Sequence, residues 1–122
     1  MLKKTVKYYD FNGDEANETL YFNLTTAEVA KLSSEFGGDI EKHIKRITAA
    51  EDMNAMLTFI EKLILASYGV KSEDGKRFMK TAALREEFES SAVYAELFEQ
   101  LLMNPEEAKA FGEGLAHGAR KK

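Results

Sequence analysis

The chain has no cysteine, no tryptophan, one proline and two histidines. Without cysteine there is no disulfide framework, no thiol nucleophile and no Cys-based zinc or iron–sulfur site, and the composition fits a cytoplasmic protein. Long apolar runs are also missing, and Lys3 and Lys4 are followed by no apolar stretch of signal-peptide length, so neither a membrane span nor a leader is expected. Net charge is −4, which disfavours a broad phosphate-binding surface and makes nucleic acid a poor partner.

The chemical motifs that remain are few, and each fails on a named residue. Asp10, Asn12 and Asp14 have the spacing of an opening calcium loop, but Glu15 stands where that loop needs glycine and Tyr21 where it needs its bidentate glutamate. His43 has no second ligand at a useful spacing and reads as a solvated or packing side chain. The glutamates at 86, 87, 89, 96 and 99 read as a solvated helix face. There is no Walker-type loop and no GxSxG elbow, so the expectation is no enzyme, no metal and no cofactor.

What is present is helix. Met53 to Tyr68 carries Met53, Met56, Leu57, Ile60, Leu63 and Ile64 at i, i+3, i+4, i+7 spacing, with Ala55, Phe59 and Ala66 on a second flank. Only Asn54, Thr58, Glu61, Lys62 and Ser67 are left for water, so this helix is expected at the centre. Before it, β-rich Thr5 to Tyr9 and Thr19 to Leu24 flank the turn-forming FNGDEAN and predict a hairpin, about 3–24. Thr25 and Glu28 form a capping box for a helix over about 26–36 that ends at Gly37-Gly38. Asp39 caps a segment over about 40–47 whose Ile40, Ile44 and Ile47 are helically spaced, and Thr48 with Glu51 suggests a box restarting the chain into a helix over about 50–68.

After Tyr68, Gly69 suits a helix C-cap and Asp74-Gly75 a tight turn. The stripe Leu84, Phe88, Ala92, Ala95, Phe98, Leu102, with Tyr94, Leu97 and Leu101 beside it, predicts one helix over about 81–103. Asn104-Pro105-Glu106-Glu107 opens a short helix over about 105–112. The glycine-containing end predicts a flexible tail over 116–122. The expected fold is therefore α+β, an N-terminal β-hairpin followed by a mainly α-helical bundle, with 1–115 as a single domain.

Three pieces carry a resemblance: the YGVKSEDGKRF connector, the REEFESSAVYAELFEQLL segment with its Phe-x-x-Ser-x-x-Tyr-x-x-Leu-Phe order, and Pro-x-x-Ala-x-x-Phe-x-x-Gly from Pro105 to Gly114. Together, from Ile64 to Leu115, they resemble the tail assembly chaperones of long-tailed, siphovirus-type phages and prophages of Gram-positive bacteria. That resemblance implies a non-enzymatic protein that binds the tape-measure protein, keeps it soluble and assists tail-tube assembly in the host cytoplasm, and that is absent from the mature virion. It also implies a frameshift-extended form, through which the tail-tube protein would be engaged, and Lys121-Lys122 suits an A-rich slippery codon pair. Breadth of the apolar faces predicts a homo-oligomer. Flexible and aromatic side chains suit a surface that accepts many apolar helices, which selects Tyr94, Leu97, Phe98, Leu101, Met103 and Phe111 as candidate partner-binding residues, with core packing as their alternative role. The competing functions are a structural tail or head-completion protein and, further off, a small DNA-binding regulator, which would want a basic recognition helix.

Overall fold

A computed structural model describes residues 1–120, with side chains through residue 118. The expected hairpin pairs β1 (Leu2–Tyr9) with β2 (Glu15–Phe22) antiparallel, and helices follow, an α+β architecture. Asp10 makes the turn: its carboxylate accepts from the backbone N–H groups of Asn12 and Asp14, both at 2.9 Å, and its own N–H donates to the Asp14 carbonyl. Gly13, at φ 84°, takes the left-handed step. The second strand therefore begins four residues before the expected Thr19, and Glu15 to Glu18 already belong to it. Leu24 lies beyond that strand as a buried residue ahead of the first helix.

Register fixes which side faces inward. Leu2 is opposite Phe22, Lys4 opposite Leu20, Val6 opposite Glu18 and Tyr8 opposite Ala16, and directly paired residues share a face. Val6, Leu20 and Phe22 on that face are buried. The other face carries Lys3, Thr5, Lys7 and Tyr9 in solvent, with a Thr5–Thr19 hydroxyl hydrogen bond of 3.0 Å and a Lys7–Glu15 ion pair of 2.8 Å. Two more strands, β3 (Tyr68–Lys71) and β4 (Phe78–Met79), extend the sheet in the order β1-β2-β3-β4. Gly69, expected as a helix cap, sits in β3 because the Phe78 ring lies over its Cα: a Cβ there would be 2.5 Å from Phe78 Cε2 and 2.8 Å from the Met79 carbonyl.

Between β2 and β3 run α1 (Thr26–Glu35), α2 (Ile40–Ala49) and α3 (Met53–Ser67). The Thr25–Glu28 capping box is present with both reciprocal bonds, and Asp39 caps α2, which buries Ile40, Ile44 and Ile47 as their spacing predicts. The third helix starts differently from expectation. Thr48 lies inside α2, Glu51 takes a left-handed φ of 53°, and Asp52 is the cap, accepting from Ala55 N–H at 3.1 Å. Helix α3 buries Met56, Phe59, Ile60, Leu63 and Ile64, and also Ser67, whose hydroxyl donates back to the Leu63 carbonyl at 2.6 Å and so is not left for water.

The expected single helix over 81–103 is two. α4 (Ala82–Glu89) ends and α5 (Ala92–Met103) begins at Ser90-Ser91. Ser90 Oγ donates to the Glu86 carbonyl, while Ser91 Oγ donates to the Phe88 carbonyl and accepts from Tyr94 N–H, so the serines satisfy the backbone groups that a continuous helix would use. The largest correction is at the end of the chain. α6 runs Pro105–Arg120, where a helix to 112 and a flexible tail over 116–122 were expected; Lys121 and Lys122 lie outside the described residues. Ala108, Phe111, Gly112 and Leu115 are all buried at i, i+3, i+4, i+7, and the helix packs on α1, α2, α3, α5 and β1. Gly112 permits the close approach to α2, since a Cβ there would lie 3.3 Å from Ile44 Cδ1, whereas one on Gly114 would meet Leu2 Cδ1 at an ordinary 3.5 Å.

Candidate partner-binding surfaces

The six residues selected for partner binding separate by burial. Leu97, Leu101 and Phe111 are 0%, 1% and 3% exposed, within the packed interior, and cannot meet a partner in this conformation. Tyr94 and Phe98 are half-buried against that interior, and Met103, 76% exposed, stands in solvent at the end of α5. The spacing of α5 brings Tyr94 and Phe98 together on one side, ring centroids 5.9 Å apart. Behind them an aromatic path leads inward: Tyr94 meets Phe88 edge-on at 5.3 Å, Phe88 stacks on Tyr68 at 3.8 Å, and Phe22 meets Phe88 and Phe111.

Burial pushes the Tyr94 phenol up to about 12, with the carboxylates of Glu61 and Glu89 adding to the effect. Glu61 lies on the solvent face of α3, the helix that packs against α5. That face, Thr58, Glu61 and Lys62, forms one wall of an open cleft of about 770 Å³ whose opposite wall is the α1 stripe Glu28, Lys31, Leu32 and Glu35. Half-buried Leu65 and Ala66 also line it, above the buried Leu24 and Leu32, together with Lys80 and Arg85.

Two ion pairs brace the cleft. Lys62 Nζ reaches Glu35 at 3.0 Å from α3 to α1, and Lys80 Nζ reaches Glu28 at 2.8 Å while also donating to the Asn23 carbonyl at 2.6 Å. Burial works against the charge on Glu28, but Lys80 and the Thr25 N–H and hydroxyl outweigh it and hold the carboxyl below the ordinary 4.5. Lys31 and Arg85 make no ion pair among the described residues, and neither does Glu61. Sequence reading assigned Thr58, Glu61 and Lys62 to water and did not see the cleft. The available signal was a matching polar stripe on α1, at 28, 31 and 35, each stripe with a leucine set among its charges.

Two further surface features stand apart. Phe11 at 82% and Tyr9 at 68% exposure crown the hairpin turn held by Asp10, and Val70 and Met79, a cross-strand pair, are exposed on β3 and β4. His43 stacks on Phe36 at 4.7 Å and its Nδ1 accepts from Arg46 at 2.8 Å, which makes it a packing residue as its isolation in the sequence suggests. Burial first, and the Arg46 charge second, lower its pKa. No three His, Asp or Glu side chains among the described residues are grouped to hold a metal ion, and no helix among them is long and apolar enough to cross a membrane.

An α+β scaffold whose notable surface features are an open cleft between two helices and apolar side chains raised into solvent has the make-up of a protein-binding module. Its sequence identifies which one: the family model described as phage tail assembly chaperone matches residues 1–116, and the chain belongs to that family. Comparisons with curated proteins and with solved structures return no match.

Proposed function

We propose that this chain binds the tape-measure protein of a long-tailed phage or prophage of a Gram-positive host, holds it in solution and assists assembly of the tail tube around it. The observation that carries the reading is membership of the tail assembly chaperone family across residues 1–116. A tape-measure chain has long helical, apolar segments that aggregate unless many copies of a small holder cover them. The holder acts in the host cytoplasm as a homo-oligomer and leaves before the virion is complete, and a frameshift-extended form would bring in the tail-tube protein. On this reading Tyr94, Phe98 and Met103, the surface members of the α5 set, contribute to the contact.

The test is co-expression with the tape-measure gene of the same phage or prophage. Tape-measure protein recovered in the soluble fraction, in complex with this chain and insoluble without it, is the expected result. Equal solubility with and without the chain would overturn the reading. Purified virions that retain the chain would instead point to a structural tail component.

A further inference from the structure

Asn12-Gly13 is the only asparagine–glycine pair in the chain, and it lies at the tip of the hairpin. An asparagine amide and the backbone nitrogen of the next residue can close a five-membered imide, and glycine, lacking a Cβ, hinders that attack least. The structure leaves both reactants accessible. Residues 11–14 are exposed, no hydrogen bond engages the Asn12 side-chain amide among the described residues, and nothing lies within 4 Å of where a Cβ on Gly13 would stand. The other asparagines lack this combination. Asn17 is held opposite Lys7 in the ladder, Asn23 precedes Leu24, Asn54 precedes Ala55 inside α3, and Asn104 precedes Pro105, whose nitrogen carries no proton. Asp74-Gly75 is the nearest rival. Its carboxylate accepts from Ser72 Oγ at 2.6 Å and from Lys76 N–H at 3.0 Å, bonds that hold it ionised, and a carboxylate anion is a poor electrophile.

Asp10 works against the reaction. Its carboxylate fixes the N–H groups of Asn12 and Asp14, and Gly13 N–H donates to the Asp10 carbonyl at 3.0 Å, so the attacking nitrogen is engaged while the turn is closed. No residue of the turn is buried, and local opening at such a tip costs far less than unfolding. We infer that Asn12 is a site of spontaneous deamidation whose rate Asp10 sets by holding the turn shut. When the turn opens, Gly13 N gives its proton to hydroxide and attacks Asn12 Cγ; the N–Cγ bond forms, the Cγ–Nδ2 bond breaks, and the amide nitrogen leaves as ammonia. Water then opens the imide at either carbonyl, giving aspartate or isoaspartate. Isoaspartate carries the main chain through Cβ and Cγ, a path one atom longer, and either product adds a negative charge to the turn that already holds Asp10 and Asp14. The lengthened turn cannot keep both Asp10 bonds over the Tyr9–Glu15 closing pair, and the exposed rings of Tyr9 and Phe11 lose their fixed presentation.

The full chain, the same chain unfolded in guanidinium chloride, and the variants Asp10→Ala and Asp10→Asn are aged side by side in mildly alkaline buffer. Peptide mass spectrometry reads the amide-to-acid conversion at each asparagine, and labelling with an isoaspartyl methyltransferase marks the isomer. The folded chain should convert at Asn12 before any other asparagine, and more slowly than the unfolded chain. Asp10→Ala should speed that conversion about tenfold, the worth of losing hydrogen bonds to a carboxylate. Asp10→Asn, which keeps an oxygen in place, should fall between the parent and Asp10→Ala. Circular dichroism checks folding, and should Asp10→Ala unfold, Asp10→Asn, still faster than the parent, takes its place in the comparison. Asn12 staying intact in the folded chain while the unfolded chain converts, or converting no sooner than Asn17, overturns the inference. So does a folded Asp10→Ala variant that ages at the parental rate.

Discussion

Replacing Gly114 by alanine should stabilise the protein, although the stretch GEGLAHGA reads as a loose tail. Gly114 lies in the interior of α6, where glycine costs about 0.8–1.0 kcal/mol relative to alanine. The added Cβ would lie 3.5 Å and 3.9 Å from the two methyl carbons of Leu2, ordinary contact distances. The expected gain is therefore about 1 kcal/mol, or roughly 4 °C in Tm for a chain of this length. Gly69→Ala is the matched contrast. Its Cβ would sit 2.8 Å from the backbone oxygen of Met79 and 2.5 Å from the Phe78 ring; the ring can rotate away, but the carbonyl moves only with β4. Overpacking of about 1–3 kcal/mol, offset by about 0.4–1 kcal/mol from restricting the unfolded chain, leaves a net loss of roughly 1–2 kcal/mol. Urea denaturation followed by far-UV circular dichroism measures both. A Gly114→Ala midpoint equal to the parent's would mean that α6 is not helical at that point or is frayed in solution, and the packing assigned to it would fall.

Leu97→Ala, at a site with 0% exposure, should cost about 2–5 kcal/mol, and a midpoint shift under about 1 kcal/mol would return Leu97 to the surface. Because the folded state lowers the His43 pKa from its ordinary 6.5, the unfolded chain binds the extra proton first, so stability should fall as pH drops below about 6.5; a His43→Leu variant should lose that slope in urea midpoints taken from pH 7 to 5. Tyr94 should ionise near 12 in an ultraviolet titration, and since the unfolded phenol loses its proton near 10 while the folded one holds it to about 12, stability should decline across that interval; a Tyr94→Phe variant that leaves the signal near 12 in place would refute the assignment.

Local chemistry was legible and distant juxtaposition was not. The Thr25–Glu28 box and the Ile40, Ile44, Ile47 stripe depend on residues within a turn or two of each other, and both stand in the structure as the sequence indicates. Ser90-Ser91 was overridden by the apolar period running through it, since the period does not register that two hydroxyls can take over backbone acceptors. In α6 the error was to treat glycine as a breaker. Position 112 completes the stripe of 108, 111 and 115, and it is buried because it has no side chain. The cleft was invisible for another reason: Glu28 and Lys80, which close one side of it, are 52 residues apart. Of the partner-binding set, periodicity located the apolar face of α5 but could not divide it into Leu97 and Leu101 inside and Met103 outside.

The contact between α6 and β1 sets the order in which the chain can mature. Leu2 leaves the ribosome ahead of its neighbour Gly114, which follows on the order of ten seconds later at usual elongation rates. Until then the surface that α6 will cover, Ile40 and Ile44 of α2 and Leu63 of α3, has no lid. A newborn copy thus displays a greasy face of its own, and premature encounter between nascent neighbours on one messenger would trap them through it. Closure by a late, glycine-bearing helix limits that hazard: with no side chain at position 112, α6 can slide into place without first prising Ile40 and Ile44 apart.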